Sequence, residues 1–378
     1  MSSSSNNKKD ETTEYFDSPE ELHRKIETLA KWTKESKHIV VYTGSGISTS
    51  AGICDFRGPQ GVWTLKEKGL KPQRGSSYHT TPTKTHMALS KMYHDGKIQY
   101  VTSQNVDGLH VKSGIARKDM SELHGNTNVE LCHKCKTEYL RPFRCRNADH
   151  VHDHKTGRFC NKCGHELEDS IINFNENLPE DQLDRACDNA AKADLAIVLG
   201  TSLRVSPACD LPQMCKKKGG RMVIVNLQVT PKDKHADLRI FAKTDEVIEL
   251  LTKKLGLAIP PFILRSEFTI QSEEKTVGKQ KKVTLKVSSP SKGTKLLSSL
   301  NYIVYSGSET KPKITKYSNV DQIDDLPTDA VKVRIEFTFN LLPKNNVDAV
   351  CVVEINNPCK TSQKILIETD TDQNTCTY

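Results

Sequence analysis

The first two-thirds of the chain alternates short, unbroken apolar runs with stretches whose apolar residues recur at helical spacing. The runs are rich in Val, Ile and Leu and lack alternation, which is typical of parallel strands buried on both faces. They lie at 39–42, 98–103, 195–199 and 222–225, with a last short strand predicted at 240–241. Helices are predicted at 19–35, 82–93 and 245–255. The pattern predicts an α/β fold with an open parallel sheet.

From about Pro261 the pattern changes to period-two alternation, most clearly over Val331–Phe339. This alternation favours half-buried strands of an all-β, sandwich-like domain. Further strands are predicted at 283–287, 302–305, 349–355 and 365–367. Three segments are therefore expected: a disordered tail over 1–16, an α/β domain over 17–261 and a β-rich domain over 262–378. Nothing in the last segment suggests chemistry, so we expect it to serve binding or stabilisation.

Composition and charge restrict the cellular compartment and the partners that we expect for the protein. No apolar run in the 378 residues approaches membrane length, and the Ser/Asn/Lys/Glu-rich start has no secretory apolar region. An intracellular protein without membrane contact is expected, whose 12 cysteines are thiols or metal ligands rather than disulfides. The net charge of +8 suits acidic partners such as nucleic acid, but it fits a merely basic surface equally well.

The loop after the first strand carries the features of a nucleotide site. Gly44 and Gly46 follow the strand at once, and glycine allows a tight turn and close approach of the backbone to a diphosphate. On its own this pair is more often an ordinary strand-to-loop turn. The run Asp55-Phe56-Arg57 adds a carboxylate, an aromatic face and a guanidinium that could close over a ligand. An ordinary turn does not need that set.

Small or amide residues also follow the next three predicted strands. They are Gln104, Asn105 and Asp107, then Gly200, Thr201 and Ser202, then Asn226 and Gln228. In an open parallel sheet the ligand lies outside the carboxyl ends of the strands. Any one of these groups could be only a helix cap, but their recurrence predicts a shared ligand site.

Two Cys-x-x-Cys pairs lie between the second and third predicted strands, Cys132/Cys135 and Cys160/Cys163. Such pairs in a reducing compartment are typical of a four-thiolate zinc site, which is closed to substrate and therefore structural. Redox dithiols or unligated thiols are the alternative. The long intervening stretch holds other conceivable ligands, Cys145, His150, His152 and His154.

Taken together, the glycine loop, Gln104-Asn105-x-Asp107, Glu122-Leu-His-Gly-Asn126 and the four cysteines resemble the sirtuins over roughly residues 36–261. The run 58–63, the short connection from Trp63 to Pro82 and the run 224–228 look like the class IV branch, nuclear and chromatin-associated sirtuins. The resemblance implies a Rossmann-type large domain with a zinc-bearing small domain at about 126–170. It also implies NAD-dependent removal of acyl groups from lysine, mainly on histones, with release of nicotinamide and O-acyl-ADP-ribose.

The same resemblance assigns roles to individual residues. His124 matches the catalytic position, and an imidazole titrating near neutrality suits the removal of a proton from a ribose hydroxyl. Asn105 and Asp107 resemble the residues that orient ribose and nicotinamide. The segment 174–179 resembles the strand that pairs with substrate peptide. The residues expected to bind NAD are Gly44, Ser45, Gly46, Thr49, Asp55, Phe56, Arg57, Trp63, Gln104, Gly200, Thr201, Ser202, Asn226, Gln228 and Thr244.

Two other functions remain open at this stage. The same site could support mono-ADP-ribosyl transfer, in which an acceptor side chain captures the sugar carbon. Alternatively, a catalytically idle zinc module could tether chromatin or nucleosome partners, although the presence of His124, Asn105 and Asp107 argues against it. A nicotinamide dehydrogenase is less expected, because no ribose-binding acid follows the second strand.

Overall fold

The computed structural model describes residues 12–71, 80–141, 143–148, 150–277, 280–288, 297–306, 315–317, 322–326, 330–339, 349–356, 358, 361–370 and 375–377. The chain divides into two compact units, Met1–Pro260 and Pro261–Tyr378. Among the described residues, no helix combines the length and apolarity that crossing a bilayer requires.

The first unit is built on a parallel sheet with strand order β10-β9-β8-β1-β2-β3. The strands of the unit are β1 Ile39–Thr43, β2 Tyr100–Ser103, β3 Met120–Glu122, β4 Val129–Leu131, β5 Glu138–Leu140, β6 Lys155–Phe159, β7 Glu166–Asp169, β8 Leu195–Leu199, β9 Arg221–Val225 and β10 Leu238–Ile240. Strand β1 lies between β2 and β8, and all five of its residues are buried. The predicted parallel sheet is confirmed, with β2 starting two residues later than expected.

Helices cover both faces of this sheet. They are α1 Pro19–Glu35, α2 Val62–Glu67, α3 Lys84–His94, α4 Leu109–Lys112, α5 Glu180–Lys192 and α6 Thr244–Leu255. One apolar core joins α1, α3 and α6 to the sheet, and the other joins α5 and the 3-10 segment Ala208–Lys218 to its opposite face. Helix α1 begins as predicted, with Ser18 accepting a hydrogen bond from the Glu21 amide at 3.2 Å.

Three local predictions need correction. Val62–Glu67 forms a short helix where only a polar connection was expected, and Trp63 lies on it. Strand β3 was not predicted because three residues are too few for a periodic signal. The last strand of the sheet is Leu238–Ile240 rather than 240–241, because Leu238 already pairs with Val223 on β9.

Residues 12–16 are ordered against the large sheet, although they were expected to belong to a disordered tail. The Tyr15 amide donates to the Leu227 carbonyl at 2.9 Å, and the Asp17 amide donates to the Phe241 carbonyl at 2.8 Å. These bonds fix the approach of the chain to α1. The rest of the predicted tail, residues 1–11, lies outside the described residues.

A small antiparallel sheet, β5-β4-β7-β6, is inserted between β3 and α5 and carries the cysteine pairs. Both ends of this insertion meet close to His124, since the Ile172 amide donates to the His124 carbonyl at 3.0 Å. The small module is therefore anchored beside the residue predicted to be catalytic.

The second unit contains two antiparallel sheets, β15-β12-β11-β18-β19 and β14-β13-β16-β17. The strands are β11 Ile263–Val277, β12 Gln280–Ser288, β13 Leu297–Ser306, β14 Thr315–Tyr317, β15 Gln322–Leu326, β16 Ala330–Phe339, β17 Ala349–Asn356, β18 Ser362–Asp370 and β19 Thr375–Thr377. Strand β11, which pairs with both β12 and β18, was not predicted. A β-rich unit agrees with the alternation, and its sandwich-like arrangement stays a prediction.

Candidate functional site

A cavity of about 890 Å³ opens at the carboxyl ends of β1, β2 and β8. Its wall includes fifteen of the residues predicted for the site: Gly44, Ser45, Gly46, Asp55, Phe56, Arg57, Trp63, Gln104, Asn105, Asp107, His124, Gly200, Thr201, Ser202 and Gln228. Such a volume is ordinary for a site that encloses a cofactor-sized ligand. The wall arises where the buried strands end, as the sequence predicts.

Three predicted residues do not line the cavity. Thr49 lies in an exposed 3-10 turn and donates to the Gly46 carbonyl at 3.2 Å. The side-chain amide of Asn226 instead fixes its own loop, because it donates to the backbone carbonyl of Gln228 at 2.9 Å. Thr244 is the buried first residue of α6. These residues support the loops around the cavity rather than its surface.

The floor of the cavity is a crossing of two backbone segments that only glycine permits. The Gly46 amide donates to the Gly200 carbonyl at 2.9 Å. A Cβ on Gly46 would lie 2.7 Å from the Gly200 Cα, and one on Gly44 would lie 2.6 Å from the Thr201 Cβ. Gly200 also has φ +58°, a left-handed conformation that favours glycine. The loops after β1 and β8 are therefore held together, with their backbone exposed to the cavity.

Asn105 and Asp107 are held by the loop after β1. The side-chain amide nitrogen of Asn105, Nδ2, donates to the Gly44 carbonyl at 3.1 Å, and Asn105 is 8 % exposed. One Asp107 oxygen accepts from the Ser48 hydroxyl at 2.7 Å, and the other accepts from the Leu109 amide at 2.9 Å. Both side chains are thus fixed at the end of β2 before any ligand arrives, which suits an orienting role.

His124 follows β3 and faces the same cavity. Its Nδ1 lies 2.9 Å from the Gln104 carbonyl oxygen, which can only accept, so Nδ1 carries the proton and Nε2 carries the lone pair. Burial lowers the pKa of His124, although the bond to Gln104 opposes this shift. The ring is therefore neutral near pH 7 and can accept a proton through Nε2.

One side of the cavity is an aromatic and cationic wall. The Trp63 ring lies 5.1 Å from the Phe56 ring and 5.5 Å from the Phe174 ring. The Arg57 guanidinium stands 4.3 Å over the Trp63 ring and donates to the Ser202 hydroxyl at 3.2 Å. This wall offers a cation at the carboxyl end of β8, where an anionic ligand would be bound.

Two acidic groups at or near the cavity, Asp55 and Glu14, are partly screened from water. Burial raises the pKa of Asp55, while the Gly58 amide bond to its Oδ1 at 3.1 Å opposes the rise. Burial and the Asp55 charge also raise the pKa of Glu14, which accepts from the Gln228 amide at 3.2 Å. The ordered N-terminal residues therefore reach the rim of the site, which the sequence did not predict.

Sequence reasoning missed the wall contributed by residues 171–173 and 205–207, and it expected 174–178 only as part of a segment resembling a peptide-pairing strand. The segment expected to resemble a peptide-pairing strand is a turn here, with the Glu176 amide donating to the Asn173 carbonyl at 3.2 Å. Asn175 has φ +69°, which asparagine tolerates better than most residues. Asparagine at three positions in 173–177 is the sequence signal that could have indicated a turn.

The four cysteines of the two pairs converge in the small module. Their sulfur atoms all lie within 4.8 Å of one another, with Cys132 to Cys163 at 3.4 Å and Cys135 to Cys160 at 3.5 Å. A tetrahedral zinc with Zn–S bonds of about 2.3 Å places its sulfurs about 3.8 Å apart, so the donor set fits zinc. Among the described residues, Cys145, His150, His152 and His154 form no part of this cluster.

Comparisons with known proteins agree with this arrangement. A model of the Sir2 family matches residues 66–207. The NAD-dependent protein deacetylase SRT1 of Oryza sativa subsp. indica is 47% identical over 272 residues, which cover 71% of this chain and 55% of that relative. The NAD-dependent protein deacetylase Sirt6 of Drosophila melanogaster is 45% identical over 270 residues, which cover 69% of this chain and 84% of that relative. The chain thus spans little more than half the length of the Oryza relative.

A solved structure with a similar fold is a histidine-to-alanine variant of Sir2 with a deacetylated p53 peptide and 3′-O-acetyl-ADP-ribose. It is 30% identical, has a TM-score of 0.50, and the match covers 62% of this chain and 99% of that one. The similarity to this solved fold therefore involves less than two-thirds of the present chain.

Proposed function

Because the chain belongs to the Sir2 family, we propose that it is an NAD-dependent protein-lysine deacylase that releases nicotinamide and O-acyl-ADP-ribose. The Drosophila relative's name, with Sirt6 in it, supports placing the chain in the class IV branch. We extend the proposal to acylated histone tails as substrates, with a nuclear location and chromatin contact. The net charge of +8 suits contact with the acidic nucleic acid of chromatin, not with the basic histone tails themselves, and it fits a merely basic surface equally well.

The cavity fits the cofactor that this function requires. The crossing of Gly44, Gly46 and Gly200 exposes backbone where a Cβ would otherwise fill the floor, as close approach to a diphosphate requires. Arg57, fixed by Ser202 and Trp63, adds a positive charge at the same place. When bound, NAD supplies an electrophilic ribose carbon whose leaving group is nicotinamide.

The observation that carries the proposal is the state of His124. A neutral imidazole with Nδ1–H held by Gln104 leaves Nε2 as a base, with its tautomer set before the reaction. Asn105 and Asp107 are held next to the glycine loop, where they can orient a sugar. The half-buried setting limits competing water. In this account His124 takes the proton of a ribose hydroxyl, and the other residues position the reacting groups.

The four cysteines would hold one structural zinc. All four ligand positions come from protein thiols, so no position is open to substrate. The apolar cluster inside the module is small, comprising Leu167 and the ligand cysteines with Tyr139 against it. Zinc binding would therefore contribute much of the folding free energy of the module.

The test is the substitution His124→Ala, with His235→Ala as a matched control on an exposed turn. We expect His124→Ala to bind NAD but to form O-acyl-ADP-ribose roughly 10²- to 10⁴-fold more slowly from an acetylated peptide, the usual range for a lost general base. The wild-type kcat should fall as pH drops through the pKa of His124, which lies below its ordinary value of about 6.5.

Mass spectrometry of nicotinamide and of O-acyl-ADP-ribose measures this reaction directly. Labelled protein in place of free O-acyl-ADP-ribose would indicate ADP-ribosyl transfer instead. Wild-type turnover by His124→Ala would refute the proposed role of this residue.

A further inference from the structure

The turn 173–177 contacts the small module mainly through the carboxylate of Glu176. Glu176 Oε1 lies 2.5 Å from His152 Nδ1 and 3.0 Å from His154 Nε2. Its Oε2 accepts from the Asn173 amide at 2.6 Å, within the turn itself. Glu176 therefore joins the turn to two histidines that precede β6 of the small module.

His154 continues this connection into the module. Its Nδ1 lies 3.3 Å from Asp169 Oδ1, and its backbone carbonyl accepts from the Asp169 amide at 2.7 Å. Asp169 is almost fully buried and also accepts from Arg146 at 3.0 Å. The ring of His154 thus bridges a fixed anion of the module and the anion of the turn.

Both ring nitrogens of His154 face carboxylate oxygens, which only accept hydrogen bonds. A neutral imidazole has one N–H and can satisfy one of them, whereas an imidazolium has two. Loss of the proton must therefore break one of the two bonds; if Nε2 is the nitrogen that loses it, Asn173 Nδ2, 3.4 Å away, can donate to Nε2 in place of the lost bond to Glu176. Either outcome ends the charged contact with the turn.

The turn 173–177 also forms part of the cavity wall. Phe174 and Asn175 line the cavity, and the Phe174 ring lies 5.5 Å from the Trp63 ring. The preceding residue Ile172 donates to the His124 carbonyl. A displacement of the turn would change the wall next to Trp63, within the segment whose resemblance implies contact with the substrate peptide.

We propose that His154 is a positioning residue: its positively charged ring holds the turn 173–177 against the small module, so that acyl-peptide binding weakens when the ring loses its proton. This inference rests on the proposed deacylase function. His154 does not itself line the cavity, so the effect on NAD binding should be smaller than the effect on peptide binding and should act only through the contact of Phe174 with Trp63.

The direction of the pH effect follows from the two partners. Burial lowers the pKa of His154, but the bonds to Glu176 and Asp169 outweigh it and raise the pKa above its ordinary value. Burial raises the pKa of Glu176, but the Asn173 amide and the two histidines outweigh it and hold the pKa at about 2. The charged contact between His154 and Glu176 is therefore present below the pKa of His154 and is lost as pH rises through it, which leaves His152 as the other contact of Glu176 with the small module. Protonation of Glu176 matters only in strong acid.

The chain offers a direct reporter of the turn. It contains two tryptophans, Trp32 and Trp63, so the background substitution Trp32→Phe leaves Trp63 as the sole indole. In this background the emission of Trp63 should shift between pH 6 and 9 as Phe174 moves away. The variant His154→Gln, which cannot carry a charge, should lack this shift, whereas the exposed control His235→Gln should keep it.

Kinetics with an acetylated peptide supply the second measurement. The KM for peptide should rise roughly two- to tenfold between pH 6 and 9 in the parent, a range set by one partly exposed charge-assisted bond. His154→Gln should show the raised KM for peptide at pH 6, with a smaller change in the KM for NAD and little change in kcat. His235→Gln should behave as the parent.

Each outcome of these two measurements either supports or refutes the inference. A parent whose emission and peptide KM stay flat from pH 6 to 9 would overturn the inference, as would a His154→Gln variant that responds like His235→Gln. If His154→Gln fails to fold or loses zinc, the pH titration of the parent still decides. A Trp63 shift that depends on His154, without nicotinamide release at any pH, would support the positioning role and refute the proposed function.

Discussion

The substitution Gly125→Ala tests whether backbone contact between the two parts of the first unit sets the position of His124. Gly125 has φ +80°, and a Cβ there would lie 1.8 Å from the Ser170 carbonyl oxygen. An ordinary carbon-to-oxygen contact is about 3.3 Å or longer, so the two segments would have to separate by about 1.5 Å. Ser170 directly follows β7, and Gly125 directly follows His124.

Two effects contribute to the expected loss of stability. A side chain in the left-handed region costs about 1–2 kcal/mol, and overpacking adds about 1–3 kcal/mol. Gly96→Ala is the matched control, because Gly96 has φ +69° and a Cβ there would have no atom within 4 Å. At about 2–4 °C per kcal/mol, the control should lose about 2–8 °C of melting temperature and Gly125→Ala a further 2–12 °C or so.

Activity should separate the two variants more sharply. A displacement of about 1 Å at a reacting group can reduce the rate by roughly 10²-fold, so folded Gly125→Ala should release nicotinamide at least that much more slowly. Thermal melting and nicotinamide release are measured on both variants. If Gly125→Ala melts with Gly96→Ala and turns over at the wild-type rate, the contact with Ser170 does not position His124.

Two further predictions concern the zinc and the second unit. Cys135→Ser should lose zinc, unfold the small module and abolish deacylation, whereas the control Cys187→Ser on α5 should keep its zinc, its fold and its activity. Elemental analysis measures the zinc, and limited proteolysis measures the folding of the module. Stoichiometric zinc in Cys135→Ser would contradict the four-thiolate site. A chain ending at Pro261 should be soluble, bind zinc and deacylate a short peptide at a similar rate, because every residue proposed for the site precedes that position. An insoluble or inactive fragment would show that the β-rich unit completes the core of the first.

Local signals account for the parts of the site that the sequence predicted. The glycines after β1 and the residues after β2 and β8 follow buried strands directly, so their position needs only the recognition of a strand end. The zinc site was equally predictable from the sequence, since the spacing of the paired cysteines alone indicates a tetrahedral metal site. His124 could be assigned only through the resemblance, because a single histidine has no local signal of catalysis.

The unpredicted parts depend on short or long-range structure. Helix α2 has six residues and lies between breakers, too short for a helical period to emerge. Strand β11 is long but largely polar, with Phe268 and Ile270 among its few buried side chains. The link from Glu176 to His154 joins residues 22 positions apart on two separate loops. No pattern along the chain encodes that pairing.

The position of β1 between β2 and β8 has a consequence for the order in which the chain is made. Ile39 pairs with Leu195, about 155 residues later, and the whole small module lies between them. At roughly 5–20 residues per second, a ribosome needs about 8–30 s to deliver β8 after β1 has emerged. During that interval β1, a strand buried at all five positions, has one edge without its native neighbour. The nascent chain is then most exposed to mispairing, and chaperone binding would have its greatest effect.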